Sequence, residues 1–158
     1  MADPKGPSAF GLGMTHIPFT VIGGFLGAGK TTLLNRLLAG AAGRRFAVLV
    51  NDFGALDIDS RLVTEHGGDT IALSNGCLCC AIGDSLIQTL VDLLDSRAGD
   101  IDHIVVEASG VADPGRIADL GVLDPRLHRD GVIVVVDAAD VRERAAEGRV
   151  GVTVTRQL

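Results

Sequence analysis

One stretch constrains this chain more than any other. Gly24-Phe25-Leu26-Gly27-Ala28-Gly29-Lys30-Thr31 fits the pattern G-x-x-x-x-G-K-[ST]. It lies between a short apolar, β-branched run, Ile17–Gly23, and a segment, Lys30–Ala39, that puts Leu33, Leu34, Leu37 and Leu38 on one helical face. Strand, loop and helix therefore follow one another. Glycines let such a loop fold back so that successive N–H groups point inward, and the helix behind it adds the positive end of its dipole. That nest suits phosphate, with Gly24, Gly27, Ala28 and Gly29 supplying backbone. Lys30 would neutralise β- and γ-phosphates, the Thr31 hydroxyl would ligate Mg²⁺, and Thr32 is a weaker candidate for the α-phosphate. The chain has only two lysines, Lys5 and Lys30, and its other basic residues are arginines, so the solitary internal lysine falls in the slot the pattern requires. A glycine-rich turn without catalytic meaning is the competing reading, and the matching flanks weigh against it.

The remainder alternates in the same way. Phe46–Val50 is a continuous apolar run suited to a strand covered on both faces. After an Asp-rich loop from Asn51 come a short strand at Thr70–Leu73, the stretch Gly76–Cys80, and a helix with Ile82, Leu86, Leu90 and Leu93 in one stripe. Ile101–Val106 and Val132–Val136 are further β-branched runs, with a helical turn at Arg116–Leu120 between them. This predicts an α/β fold with a mostly parallel central sheet flanked by helices. Residues 1–16, mixed Gly, Pro and Ser, read as a flexible leader, and 17–158 as one domain. A chain of 158 residues buries roughly 70% of its unfolded surface, enough for one core without disulfides. Near the end, Asp140–Glu147 reads as a helix, while Val150, Val152 and Val154 alternate as a strand would.

Charge and cysteine usage narrow the setting. A net charge of -6 gives no positive field for nucleic acid or anionic lipid, and no run reaches the roughly 18 apolar residues of a membrane span. Ile17–Ala28 is too glycine-rich for a signal-peptide core and ends at a lysine rather than a cleavage site. The three cysteines all fall within Cys77-Leu78-Cys79-Cys80, an odd and local set that argues for a reduced compartment, the cytoplasm.

Two clusters remain to be given chemistry. A carboxylate for Mg²⁺ or for water orientation belongs at the end of an apolar strand. Glu107 and Asp137 both qualify, and Glu107 is preferred because Gly110, three residues on, can bring a backbone N–H to the γ-phosphate. Asp113-Pro114 reads as a helix start with Asp as N-cap. Cys77, Cys79 and Cys80 suit Zn²⁺ or Co²⁺ through soft thiolates, with redox chemistry and packing as alternatives. A further ligand could come from Asp52, Asp57, Asp59, Glu65 or His66. His16, His103 and His128 are isolated and read as structural.

Taken together, Gly24–Thr31, Asn51-Asp52-Phe53-Gly54 with Ile58-Asp59, Asn75-Gly76-Cys77-Leu78-Cys79-Cys80 and Glu107-Ala108-Ser109-Gly110-Val111-Ala112-Asp113-Pro114 resemble the CobW family of P-loop GTPases over about residues 17–140. Its sister groups are the urease and hydrogenase nickel-insertion GTPases. The resemblance implies a P-loop NTPase fold and a metallochaperone or metal-insertion GTPase using GTP, Mg²⁺ and Zn²⁺ or Co²⁺. It makes Asn51–Asp59 a first switch loop, Glu107–Gly110 the Walker B and second switch, and Cys77, Cys79 and Cys80 the metal motif. Lys30, Asp52 and Glu107 are then the catalytic candidates. The family continues to an [Asn/Thr]-Lys-x-Asp motif that reads guanine, then to a smaller C-terminal domain. No lysine follows Lys30 here, so the chain is expected to be an N-terminal portion of such a protein.

The mechanism expected from this reading is a slow GTPase in which nucleotide state orders the Asp52 loop and sets metal affinity. Its partners would be a metal-dependent client protein and, with nucleotide or metal bound, a second copy. A non-catalytic metal- and nucleotide-binding fragment is one alternative. A P-loop small-molecule kinase is another, and it leaves the cysteines without a role.

Overall fold

A computed structural model describes residues 16–50, 70–74 and 82–158. The strands are β1 (Ile17–Gly23), β2 (Phe46–Val50), β3 (Thr70–Ser74), β4 (His103–Glu107) and β5 (Leu127–Val134). The helices are α1 (Lys30–Ala39), α2 (Ile82–Arg97), α3 (Pro114–Gly121), α4 (Val141–Ala146) and α5 (Gly148–Gln157). The sheet runs β3-β2-β4-β1-β5, and every pairing is parallel. This is the doubly wound P-loop NTPase architecture, an α/β fold with both sheet faces covered.

Alternation along the inner strands explains the two faces. Phe19 and Val21 of β1, Ala47 and Leu49 of β2, and Ile104 and Val106 of β4 pack with Leu86, Leu90, Leu93 and Leu94 of α2 and Ile117 of α3. The intervening Ile22, Val48, Val50 and Val105 turn to the opposite face, against Leu34 and Leu38 of α1. Strands sealed on both sides need apolar residues at every position, which is why they read as unbroken β-branched runs. β5 is a sheet edge and is correspondingly half exposed.

Asp113 caps α3 as its sequence predicts, accepting from the N–H groups of Gly115 at 3.0 Å and Arg116 at 3.2 Å, with Pro114 at the first turn. Two expectations need correction. The last strand starts at Leu127 rather than Val132, because Leu127, His128 and Arg129 already pair with Ile17, Pro18 and Phe19 before a register shift. The valines at 150, 152 and 154 lie in a helix, not a strand. In α5, Gly151, Val154 and Gln157 form the buried face while Val152 is exposed, so helical spacing rather than alternation matches the burial. Gly151 permits this packing, since a Cβ there would collide with the Ala145 carbonyl of α4. Tertiary packing outweighs the strand preference of valine.

His103, at the start of β4, stands at the end of the sheet away from the glycine loop. The Thr20 hydroxyl donates to Asp130 Oδ2 at 3.0 Å and lies 2.8 Å from His103 Nε2. With the threonine proton committed to Asp130, the neutral imidazole must donate from Nε2. Phe46 stacks on the same ring. Burial holds the His103 pKa below its ordinary value, helped by Arg44 and His128 and opposed by Asp130. The folded state thus binds its proton less readily than the unfolded chain. Stability should be intact above about pH 6.5 and decline as the pH falls through the depressed value. Thermal unfolding between about pH 7.5 and 5.5 tests this, and His103→Gln should flatten the decline.

Candidate functional site

The loop from Gly24 to Gly29 joins β1 to α1 at the carboxyl edge of the sheet, where open α/β folds place their ligands. Gly24 has φ +133°, and a Cβ there would collide with the Val135 carbonyl, so only glycine fits between the loop and the end of β5. Gly29, the N-cap residue of α1, has φ +98° and contributes no side-chain cap. Gly27 and Ala28 lie between them, and the Ala28 N–H turns back onto the Phe25 carbonyl at 3.2 Å. Leu33 N–H bonds the Gly29 carbonyl at 3.0 Å, the opening bond of the helix. The N–H groups of Lys30, Thr31 and Thr32 precede it, in a first turn whose N-cap residue offers no side-chain acceptor. No acidic residue occupies that turn, so the positive end of the helix is left for an anion.

Lys30 is only 8% exposed, and its Nζ donates to the Phe25 carbonyl at 3.2 Å, across the base of its own loop. The Thr31 hydroxyl donates to Glu107 Oε1 at 2.7 Å. Glu107 is the last residue of β4, in register with Ile22 of β1 and Val50 of β2. The residue is 4% exposed, and its carboxylate therefore stands at the sheet's carboxyl edge beside the glycine loop. Asp137, the rival candidate, is exposed and caps its own turn through Ala139 N–H at 2.9 Å. Of the two acids, Glu107 is the one joined to the loop's threonine.

The loop after β4 closes the site from the other side. The Ala108 N–H bonds Ile22 O at 2.9 Å, and the Ala112 N–H bonds Ser109 O at 3.1 Å. Gly110 abuts the glycine loop, since a Cβ there would lie 2.5 Å from Leu26 Cδ2 and 2.7 Å from Leu26 N. Ser109 is buried, and its Oγ has no hydrogen-bond partner among the described residues. An orphaned buried hydroxyl costs about 1–3 kcal/mol, and a polar group bound in the site would remove that cost.

A glycine loop opening a helix, a buried lysine, and a threonine–carboxylate pair beside that loop suit a nucleoside triphosphate with a hard divalent cation, whose oxygen ligands they match. Asp52, Cys77, Cys79 and Cys80 lie outside the described residues, as do Asp57, Asp59, Glu65 and His66. Among the described residues no group of three His, Cys, Asp or Glu side chains could hold a metal ion, and no helix is long and apolar enough to cross a membrane.

Sequence reasoning missed two contacts. Gln157 of α5 donates to the carbonyls of Gly110 and Ala112. Arg144 of α4 holds its guanidinium 5.3 Å from the centre of the Phe25 ring. Each joins residues far apart in the chain, and neither has a local pattern to announce it.

The fold and loop define a P-loop NTPase. The sequence model of the CobW/HypB/UreG nucleotide-binding domain matches residues 18–158, and the chain belongs to that family of GTPases. It is 44% identical over 134 residues to a zinc chaperone CobW of Sinorhizobium sp, covering 79% of this chain and 38% of that protein. To the zinc chaperone YjiA of Escherichia coli strain K12 it is 41% identical over 138 residues, 83% of this chain and 43% of the relative. A zinc-regulated GTPase metalloprotein activator 1 of Schizosaccharomyces pombe is 38% identical over 135 residues, 79% of this chain and 33% of its own length. The matched region thus spans from about a third to somewhat over two-fifths of these relatives.

Proposed function

We propose that the chain is the nucleotide-handling part of a metal-responsive GTPase that acts as a zinc chaperone. The hydrogen bond from Thr31 to Glu107, across the mouth of the glycine loop, carries this reading. In this role the backbone of Gly24, Gly27, Ala28 and Gly29 cradles the phosphates. Lys30 turns from the Phe25 carbonyl to the β- and γ-phosphates, Thr32 meets the α-phosphate, and Gly110 meets the γ-phosphate. The Thr31 hydroxyl and Glu107 would hold Mg²⁺, which supplies charge neutralisation on the β- and γ-oxygens. Asp52 completes the catalytic set on the resemblance already given. Cys77, Cys79 and Cys80 take Zn²⁺, or Co²⁺, as cargo for a metal-dependent client protein in the cytoplasm, and a second copy docks when nucleotide or metal is bound.

Names of the relatives support the zinc and GTPase parts of this reading. Intrinsic turnover should be on the order of 10⁻³ s⁻¹ or below in the absence of an arginine finger. The test is a titration with GTP, GDP and ATP, each with and without one equivalent of Zn²⁺. Binding of GTP that strengthens with Zn²⁺, and Zn²⁺ affinity that is higher with a non-hydrolysable GTP analogue than with GDP, are the expected results. Equal Zn²⁺ affinity in the two nucleotide states would remove the coupling, and failure to bind any nucleotide would remove the GTPase.

A further inference from the structure

The two helices after β5 touch both walls of the nucleotide site. Arg144 of α4 lies over Phe25 of the glycine loop, and α5 packs closely on α4 where Gly151 meets the Ala145 carbonyl. From α5, Gln157 reaches the opposite wall. The residue is 5% exposed, and Nε2 donates to Gly110 O at 3.1 Å and to Ala112 O at 2.9 Å. Both acceptors are carbonyls, so the amide can face them only with its NH₂ group. The turn they belong to has one internal bond, Ala112 N–H to Ser109 O. Gln157 therefore holds the Gly110–Val111 and Ala112–Asp113 peptide planes, and Gly110 between that grip and Leu26 has little freedom left.

We propose that Gln157 is a positioning residue of the nucleotide site: it fixes the Gly110–Ala112 turn at the distance from the glycine loop that a γ-phosphate requires. The inference rests on the GTPase reading above and extends it to a residue of α5. A peptide plane is rigid, so anchoring the Gly110 and Ala112 carbonyls anchors the Val111 and Asp113 N–H groups as well. It also confines Gly110, whose own N–H faces the phosphate in the proposed role. GDP has no γ-phosphate, so its binding should not depend on this grip.

Gln157→Glu keeps the shape but at neutral pH sets a carboxylate against two carbonyls. Gln157→Met keeps the bulk and offers no donor at any pH. Single-turnover GTP hydrolysis and affinity for a non-hydrolysable GTP analogue should fall about tenfold or more in both variants, as two buried acceptors lose their donor. GDP affinity should stay within about threefold. Lowering the pH from about 8 to 6 should raise the rate of the Gln157→Glu variant relative to wild type, because the protonated carboxyl regains one O–H donor. Gln157→Met should show no such recovery.

Wild-type hydrolysis and analogue affinity in both variants would overturn the assignment. So would an equal loss for GDP and the GTP analogue, the mark of a packing role alone. A wild-type chain that binds neither nucleotide sinks the GTPase reading and this inference with it. A wild-type chain that binds both, beside variants that do the same, sinks only the inference.

Discussion

Replacing Lys30 by alanine is expected to lower GTP affinity by roughly tenfold to a hundredfold, the worth of a charge-assisted hydrogen bond to phosphate. GTP hydrolysis should fall further, by roughly a hundredfold to a thousandfold, because the ammonium meets charge that grows in the transition state. The fold should survive. One partner of the amine, the Phe25 carbonyl, keeps a second donor in the Ala28 N–H. Alanine is also a good helix former at the start of α1. Isothermal titration with GTP and GDP, beside a thermal melt, separates the two effects. A variant that melts like wild type but binds GTP tenfold or more weakly is the predicted outcome. Unchanged affinity would mean that the lysine only braces its loop, and the phosphate assignment would go with it.

Why this residue was legible in the sequence, and Gln157 was not, comes down to the range over which each requirement acts. The glycine loop is specified locally. Gly24 must approach the Val135 carbonyl and Gly29 must take a positive φ, so both positions mark themselves as glycine, and Lys30 follows at fixed spacing. Glu107 was legible for a related reason, since an acid closing an apolar β-branched run stands at the carboxyl edge of a parallel sheet. What sets Glu107 apart from Asp137 is its bond to Thr31, which follows from a strand order that puts β4 between β1 and β2. Alternation of strand and helix implies parallel pairing but does not set that order. Gln157 meets Gly110 only because α5 is helical, and the valines at 150, 152 and 154 fit two periods equally well until packing decides. Ser109 reads as an ordinary small polar residue, and only its burial beside Glu107 gives it interest.

Glu107→Gln separates the chemistry of the site from its architecture. The amide oxygen of glutamine can still accept from the Thr31 hydroxyl in the place of Oε1, now 2.7 Å away, and the side chain keeps its volume in a position only 4% exposed. What it loses is the negative charge. Burying a neutral amide is cheaper than burying a carboxylate, which offsets contacts that depend on the charge, so the nucleotide-free variant should melt close to the wild-type temperature. Magnesium binding should weaken. Removing a charged partner from a metal's surroundings typically costs about tenfold to a hundredfold in metal affinity or activity, so the Mg²⁺ concentration giving half-maximal GTP hydrolysis should rise by about that factor. Thr31→Val, which removes the hydroxyl from the same pair, should show the same direction of shift. Melting curves and Mg²⁺-dependent GTP hydrolysis measured on one preparation decide the matter. A lower melting temperature with unaltered Mg²⁺ dependence would make Glu107 an anchor between β4 and α1, and the divalent cation would have to be held elsewhere.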